Sequence, residues 1–443
     1  MVTSLGGLAS GMDTTSLINA LITAEAAPQT NLKTKVSDYT TNNTAYQTVN
    51  NKMKAVLDAA KELTKFDAFK GAKATSSSTD VVATASTGAQ TGDLTFSVTK
   101  LAAAHRVTSA FAGTDTPATS NGTFDLTIGT GGDAVTTSLT VDENTPQGVA
   151  DAINKAGLSV RASVVTTDSG PVLQLASTKT GKANAFEVTG LTSDAKVMSA
   201  GADAELTVGD PDQGGFKISS SSNTFTGAMP GVTITASKLA TDVTIGVNQD
   251  TEGIANKMQA LVDAANSALA QISSSSAPGI ATSPGAKSSA GPLAGDYTVR
   301  QLASQVLSTV SQGLSGFGSF KQMGVQLTQG GKLEFKKDDF LKAYAEDPAK
   351  VQKAVTDGLA GGLQKVGETA TDTINGTLTQ KIKSGTTMIS RLNKEILDWD
   401  TKLADRRTAL QRQFSAMESA LAKVSSQSSW LSSQTAASNA SNS

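Results

Sequence analysis

Residues 378–431 read LTQKIKSGTTMISRLNKEILDWDTKLADRRTALQRQFSAMESALAKVSSQSSWL. Leu378, Ile382, Ile389, Leu392, Ile396, Trp399, Leu403, Leu410, Phe414, Met417, Leu421, Val424 and Leu431 recur at steps of three and four or their sums, which places them on one stripe of an α-helix. Arg406 and Ser428 stand where an apolar residue is due. The register slips near Leu410, a step of four followed by four, which reads as a stutter. A continuous helix over this stretch is roughly 80 Å long at 1.5 Å per residue. It is too long to wrap one small core, so its stripe must be buried against another long helix or a neighbouring subunit.

The other chain end supplies a matching stripe. Asp13-Thr14-Thr15-Ser16 offers capping side chains, and Leu17, Leu21 and Ala24 follow at helical steps. Pro28 interrupts, because it lacks the N–H that continues the ladder. A second helix is expected just after it, carrying Leu32, Val36, Tyr39, Tyr46, Val49, Met53, Val56, Ala60 and Leu63. Between the two helical ends the period changes from 3.6 to 2. Leu94-Phe96-Val98, Phe124-Leu126-Ile128, Leu139-Val141, Val160-Ala162-Val164, Leu173-Leu175, Leu206-Val208, Val232-Ile234 and Val243-Ile245-Val247 alternate with polar residues, the mark of half-buried strands. One short helix breaks this region: Thr145 caps it, Pro146 takes the first helical position, and Gly157 closes it. Helical period returns at Thr251-Glu252 and includes Leu302 to Val310, after a Ser/Pro/Gly-rich connection over 273–291. A hairpin is expected over 325–335, with Gly330-Gly331 in its turn. The tail, Gln434 to Ser443, is too polar to pack alone.

The pattern predicts an α+β multidomain fold. Long N- and C-terminal helices form a coiled-coil or helical-bundle stalk, and β-rich head domains are inserted between them. Each buried Leu, Ile or Val contributes about 1.5–3 kcal/mol, and ordering each backbone residue costs about 1–2 kcal/mol. A seam diluted with Ala, Ser and Gln is therefore marginal on its own. The extreme ends are expected to be poorly ordered in the free chain and ordered on assembly. The candidate assembly residues are Leu17, Leu21, Leu32, Val36, Leu392, Ile396, Leu403, Leu410, Phe414, Met417, Leu421, Val424 and Leu431.

Composition narrows the function. The 443 residues carry 37 Lys+Arg against 39 Asp+Glu, a formal net charge of -2, which argues against a nucleic-acid partner. Cysteine is absent, so no disulfide, thiolate zinc site or thiol nucleophile can form. A chain that crosses unfolded into an oxidising exterior fits that absence, as does an ordinary chain that lacks the residue. The first eight residues have neither the basic nor the apolar region of a cleaved secretory signal, and no run approaches the ~20 apolar residues of a membrane span. His105 is the single histidine, which rules out His-based triads and His metal clusters; it reads as a surface or strand-edge residue. Gly129-Thr130-Gly131-Gly132 lacks the Lys and Ser/Thr of a phosphate loop. Asp210 and Asp212 read as a solvated loop, and Trp399 and Trp430 as packing residues. No catalytic residue and no cofactor is expected.

Several motifs add a resemblance. Gly7-Leu8-Ala9-Ser10-Gly11-Met12-Asp13-Thr14-Thr15-Ser16-Leu17-Ile18, with Glu25, Pro28 and Leu32 after it, resembles the opening of the flagellar hook-associated protein 2 family. Phe96 to Ala102 is similar to that family's first head strand, and Thr145 to Val165 to a small repeat shared with flagellins. Pro230-Gly231-Val232-Thr233-Ile234, Gly291 to Asp296, Met323-Gly324-Val325, Phe414 to Met417 and Ser428-Ser429-Trp430-Leu431 continue the likeness along the whole chain. The tail after Gln434 departs from it.

The resemblance implies a filament cap at the distal tip of the bacterial flagellum. Such a protein is exported unfolded by the flagellar type III route and is secreted and extracellular. It forms a ring-like homo-oligomer of about five subunits that shelters flagellin, promotes its folding and directs its insertion. The implied partners are further copies of the chain, flagellin, the filament-junction hook-associated protein and a cytoplasmic export chaperone, with no membrane insertion and a host glycan as a further partner of the β head. Another flagellar axial protein, or a glycan-binding surface adhesin, is the alternative. The domains expected are a terminal leg (residues 1–31 and 405–443, disordered when free), a helical stalk domain with a small hairpin (32–73 and 251–404), an inner β head (74–102 and 201–250) and an outer β head with the flagellin-type repeat (103–200).

Overall fold

The structure, a computed structural model, describes residues 11–279 and 290–440, with side chains through Ala437. Residues 7–10 of the opening motif, most of the Ser/Pro/Gly-rich connection and the last three residues of the tail lie outside the described residues. In chain order, helices α1 (Thr14–Glu25) and α2 (Ala27–Thr64) precede strands β1 (Ala72–Ser76), β2 (Val81–Ala85), β3 (Gly92–Lys100), β4 (Ala104–Ala110), β5 (Thr123–Ile128) and β6 (Val135–Thr140). Helix α3 (Pro146–Ala156) follows, then β7 (Val160–Thr167), β8 (Gly170–Thr180), β9 (Phe186–Thr189), β10 (Lys196–Ser199), β11 (Ala204–Val208), β12 (Phe216–Ser220), β13 (Thr224–Met229), β14 (Val232–Ala236) and β15 (Ala240–Gln249). The chain ends with α4 (Thr251–Ser275), α5 (Tyr297–Gln312), the hairpin β16 (Val325–Leu327) and β17 (Leu333–Phe335), α6 (Lys337–Glu346), α7 (Pro348–Lys353), α8 (Ala360–Thr371) and α9 (Thr377–Ala440). The fold is α+β: long helices at both ends of the chain, β-rich domains between them in sequence. It divides into a helical unit (1–65 with 255–443) and a β unit (66–254).

In the helical unit, α2 is rich in Thr and Asn, residues of modest helix propensity. Packing makes it a helix: Val49, Met53, Val56, Ala60 and Leu63 are completely buried. The exposed face satisfies itself, since Thr30, Thr34, Thr40, Thr41, Thr44 and Thr48 each donate a hydroxyl to the carbonyl four residues back. The break between α1 and α2 falls at Ala26, and Pro28 sits in the first turn of α2, where its missing N–H costs nothing. The C-terminal half of α2 lies on α8 so closely that a Cβ on Gly367 would come within 2.8 Å of Leu57 Cβ. Between α7 and α8 the helix widens into a π turn over Ala354–Leu359. There Gly358 leaves room for the ring of fully buried Phe320, which a Cβ would approach to 2.8 Å.

The β unit holds two cores. One lies between the antiparallel sheet β1-β15-β3-β11-β12 and the sheet β13-β14-β2, and is filled by Phe96, Leu206, Phe225, Ile234, Val243 and Ile245. The other is built from the sheets β10-β4-β8-β7 and β6-β5-β9 with α3, around Phe124, Leu126, Ile153, Leu173, Leu175 and Phe186. Helix α3 follows its sequence signals: Thr145 accepts the N–H of Gly148 at 3.1 Å, Pro146 is in the first turn, and Gly157 is left-handed at φ 66°, a conformation that suits glycine. The chain passes between the cores where Ala103 bridges Ala202.

Candidate assembly site

The two chain ends run antiparallel in the helical unit, and named contacts set the register. Asn43 Nδ2 of α2 donates to Thr386 Oγ1 of α9 at 3.2 Å. Gln29 Nε2 donates to Asp400 Oδ1 at 2.5 Å and to the Ile396 carbonyl at 3.4 Å. Arg406 pairs with Glu25 at 3.0 Å. Gly385 admits the Asn43 carboxamide, whose Oδ1 would lie 2.8 Å from a Cβ there. Of these polar groups, Asn43 and Gln29 are buried, and polar residues at buried seam positions fix register at some cost in stability.

Beside this seam, Asp296 ties three elements together. Its Oδ2 accepts from Tyr46 of α2 at 2.5 Å and from Lys381 of α9 at 3.2 Å, while its Oδ1 caps α5 by accepting the Val299 N–H at 3.1 Å. Burial alone would raise the Asp296 pKa. The hydrogen bonds from Tyr46, Val299 and Lys381, with the Lys381 charge, outweigh it and hold the carboxyl below its ordinary value. Tyr46 is pushed above its ordinary value by burial first, then by the bond and charge of Asp296.

The seam residues expected from spacing fall into three groups. Leu392 and Leu410 are buried, and Leu32, Val36, Ile396, Leu403, Phe414 and Met417 are half-buried. On α1 the packed face is one residue on from the spacing choice. Ile18 (6 % exposed) and Ile22 (9 %) sit against Leu410, Leu403 and Phe414, whereas Leu17 (44 %) and Leu21 (40 %) face outward. Both stripes are apolar, so spacing alone does not select between them; packing on Leu403, Leu410 and Phe414 of α9 does. Third, Leu421, Val424 and Leu431 are exposed, and so is every other side chain from Leu421 through Ala437. Helix α9 thus runs on past the end of α1 for about 30 Å, at 1.5 Å per residue, with Leu421, Val424, Trp430 and Leu431 uncovered. Spacing also missed Gln29 and the Glu25–Arg406 pair, since neither residue type marks an apolar seam.

The remaining candidates resolve as structure. His105 lies in β4, an inner strand flanked by β10 and β8, and is buried, so it is neither a surface nor a strand-edge residue. Its Nδ1 accepts the Gly201 N–H at 3.1 Å and its ring meets Phe186 edge-on at 4.8 Å. Burial lowers its pKa, against a smaller opposing effect of the Phe186 backbone. Asp210 is used by its own turn, accepting from the Asp212 N–H and Gln213 Nε2, each at 3.0 Å. Trp399 is half-buried, with Lys402 Nζ 5.3 Å from its ring centroid, whereas Trp430 is exposed. Among the described residues, no group of three or more His, Asp or Glu is placed to hold a metal ion, and no helix is long and apolar enough to cross a membrane.

A helical seam closed for part of its length and then left open on one long helix defines a class: a subunit whose end helices are built for assembly. The comparisons with known proteins are specific within that class. Residues 10–105 match the model of the flagellar hook-associated protein 2 N-terminus, and residues 201–426 that of its C-terminus. The flagellar hook-associated protein 2 of Escherichia coli (strain K12) is 30% identical, with 97% of each chain covered. The B-type flagellar hook-associated protein 2 of Pseudomonas aeruginosa is 28% identical over 93% of this chain and 94% of its own. The crystal structure of the flagellar cap protein FliD D1-D2-D3 domains from Escherichia coli superposes with a TM-score of 0.59 at 27% identity, covering 77% of this chain and 99% of that one. The chain belongs to the flagellar hook-associated protein 2 family.

Proposed function

We propose that this chain caps the distal tip of the flagellar filament as a ring-like homo-oligomer of about five copies, outside the cell. In this reading the cap shelters exported flagellin while it folds and steers each subunit to the next open position. The open length of α9 carries the proposal. Leu421, Val424, Trp430 and Leu431 form an uncovered apolar strip on a helix with no intramolecular partner there among the described residues, and such a strip gains stability only when another molecule covers it. The strip is interrupted by Ser and Gln, which keeps docking weak enough to be displaced by flagellin. All thirteen residues expected from spacing belong to this assembly seam: the buried members close it within one chain, and the exposed members dock. The leg, the stalk and the two heads at the borders given above are the working parts of the same reading.

The partners proposed are further copies of this chain, flagellin, the filament-junction hook-associated protein and an export chaperone. The role is structural and needs no cofactor. Deleting the gene tests the reading: flagellin monomer in the medium and no filaments support the cap. Intact filaments that have only lost binding to glycan-coated surfaces would make the chain an adhesin instead.

A further inference from the structure

The two sheets of the α3-containing core bury their inner faces together, so their outer faces point away from one shared interior. Those outer faces carry opposite charge. On β10-β4-β8-β7, Arg106 and Arg161 flank Ala176 in one cross-strand row, and Lys196 pairs with Thr108 in a neighbouring row. All three cations are exposed, and the residues beside them, Val107, Ala162 and Leu175, point into the core. On β6-β5-β9, Asp125 pairs with Ser138 and Thr189, and Glu187 with Thr127, while Phe124, Leu126, Phe186 and Val188 face inward. Among the described residues, none of these five charged side chains belongs to a salt bridge. Asp125 accepts the Ser138 hydroxyl, at 2.5 Å.

The spacings match as well as the signs. Arg106 and Arg161 are two strands apart, about 10 Å at the usual strand separation. Asp125 and Glu187 are diagonal neighbours on adjacent strands, about 7–8 Å apart between backbones, and their side chains span the difference. Between the two arginines lies a shallow depression of about 340 Å³ that Gln174 and Met198 also line.

From this we infer that copies of the chain associate front to back through this core, the Arg106/Arg161/Lys196 face of one against the Asp125/Glu187 face of the next. The inference rests on the self-assembly proposed above and names the surface that drives it. Charge complementarity selects the occupant. Each face is like-charged and repels itself, which disfavours a two-fold pairing of identical faces, whereas opposite faces attract. A heterologous contact of this kind repeats around a ring when the rotation closes. It is also salt-sensitive, because exposed charges are screened at about 8 Å in physiological salt.

Charge-swap mixing of the full chain tests it, with sedimentation velocity as the readout. R106E/R161E makes both faces acidic, and D125R/E187R makes both basic. Each variant alone is expected to stay monomeric at concentrations where the parent assembles, and an equimolar mixture is expected to regain association, as species in which the two variants alternate and whose copy number is even. A second measurement does not depend on those variants folding. The chain has no cysteine, so Thr127→Cys with Ser163→Cys in an otherwise unaltered chain should give a ladder of oxidised dimers and higher species, whereas each single substitution, which leaves the thiol without a partner thiol across the contact, should stay monomeric. Variants that assemble like the parent, with no ladder from the cysteine pair, overturn the interface while leaving self-assembly intact. A parent that stays monomeric at every concentration overturns both. Binding of an acidic saccharide to the arginine face with parental assembly of both variants assigns the face to another ligand and also overturns the inference.

Discussion

Arg406 of α9 donates through Nε to both carboxylate oxygens of Glu25, at 3.0 and 3.2 Å, one helical turn from buried Leu410. The residue that interrupts the apolar stripe is thus the partner of the last residue of α1. Both side chains are 40–48 % exposed, and a pair so wet contributes about 0.2–1 kcal/mol. A double-mutant cycle with E25A and R406A should return a coupling in that range, falling as salt rises. Replacing Arg406 and Ser428 together by Leu trades the weak pair and a polar gap for a greasier strip. It should tighten docking and slow filament growth; normal growth would count against a role for weak docking.

Leu410 is the one fully buried residue of α9 that meets α1, through Ile18 and Ile22. Leu410→Ala should cost about 2–4 kcal/mol locally. Because α1 contributes little other burial, the expected result is undocking of α1: hydrogen exchange rises over residues 14–25 while the melting of the helical unit stays near its parental value.

The Asp296 tie makes the helical unit acid-sensitive. The carboxyl pKa is lowered in the folded chain, so at acid pH the unfolded state binds the extra proton first. The stabilisation is complete above the unfolded value of about 3.9 and disappears as pH falls through the lowered folded value. Asp296→Asn should destabilise the unit by about 1.5–3 kcal/mol at neutral pH. It should also flatten the pH dependence of urea unfolding below about pH 4. A parental slope in the variant would show that the tie does not contribute.

Close helix packing is tested at Gly367. An alanine there would place Cβ 2.8 Å from Leu57 Cβ and 3.2 Å from Leu57 Cα. Because a backbone atom is involved, α2 and α8 must separate, at about 1–3 kcal/mol. Gly132→Ala, whose Cβ meets nothing within 4 Å, is the control and should stay within about 0.5 kcal/mol of the parent.

Much of this architecture was legible because burial and period coincide. Thr145, Pro146 and Gly157 delimit α3 by local chemistry alone, and Phe96, Leu173 and Ile245 alternate strictly because one side of each strand is wet. The helices over 337–371 escaped notice. Gly358, Gly361 and Gly362 dilute their stripe, and the π turn at Ala354–Leu359 shifts its phase, so helical period is lost just where packing is tightest. On α1, Leu17/Leu21 and Ile18/Ile22 are adjacent apolar stripes, and only the partner helix decides between them. His105 is buried by long-range packing on Gly201 and Phe186, which no local pattern encodes. Arg106 and Asp125 look alike in sequence, as exposed strand charges; their opposition arises from sheet pairing across the core.

Hydrogen exchange over residues 418–437 of α9, compared between a dilute monomer and the assembled cap on filaments, tests the central claim most directly. If the open strip exists to be covered by another molecule, those amides exchange rapidly in the monomer and become strongly protected in the assembly. Equal exchange in the two states would mean that nothing docks on Leu421, Val424 and Leu431, and would contradict the account.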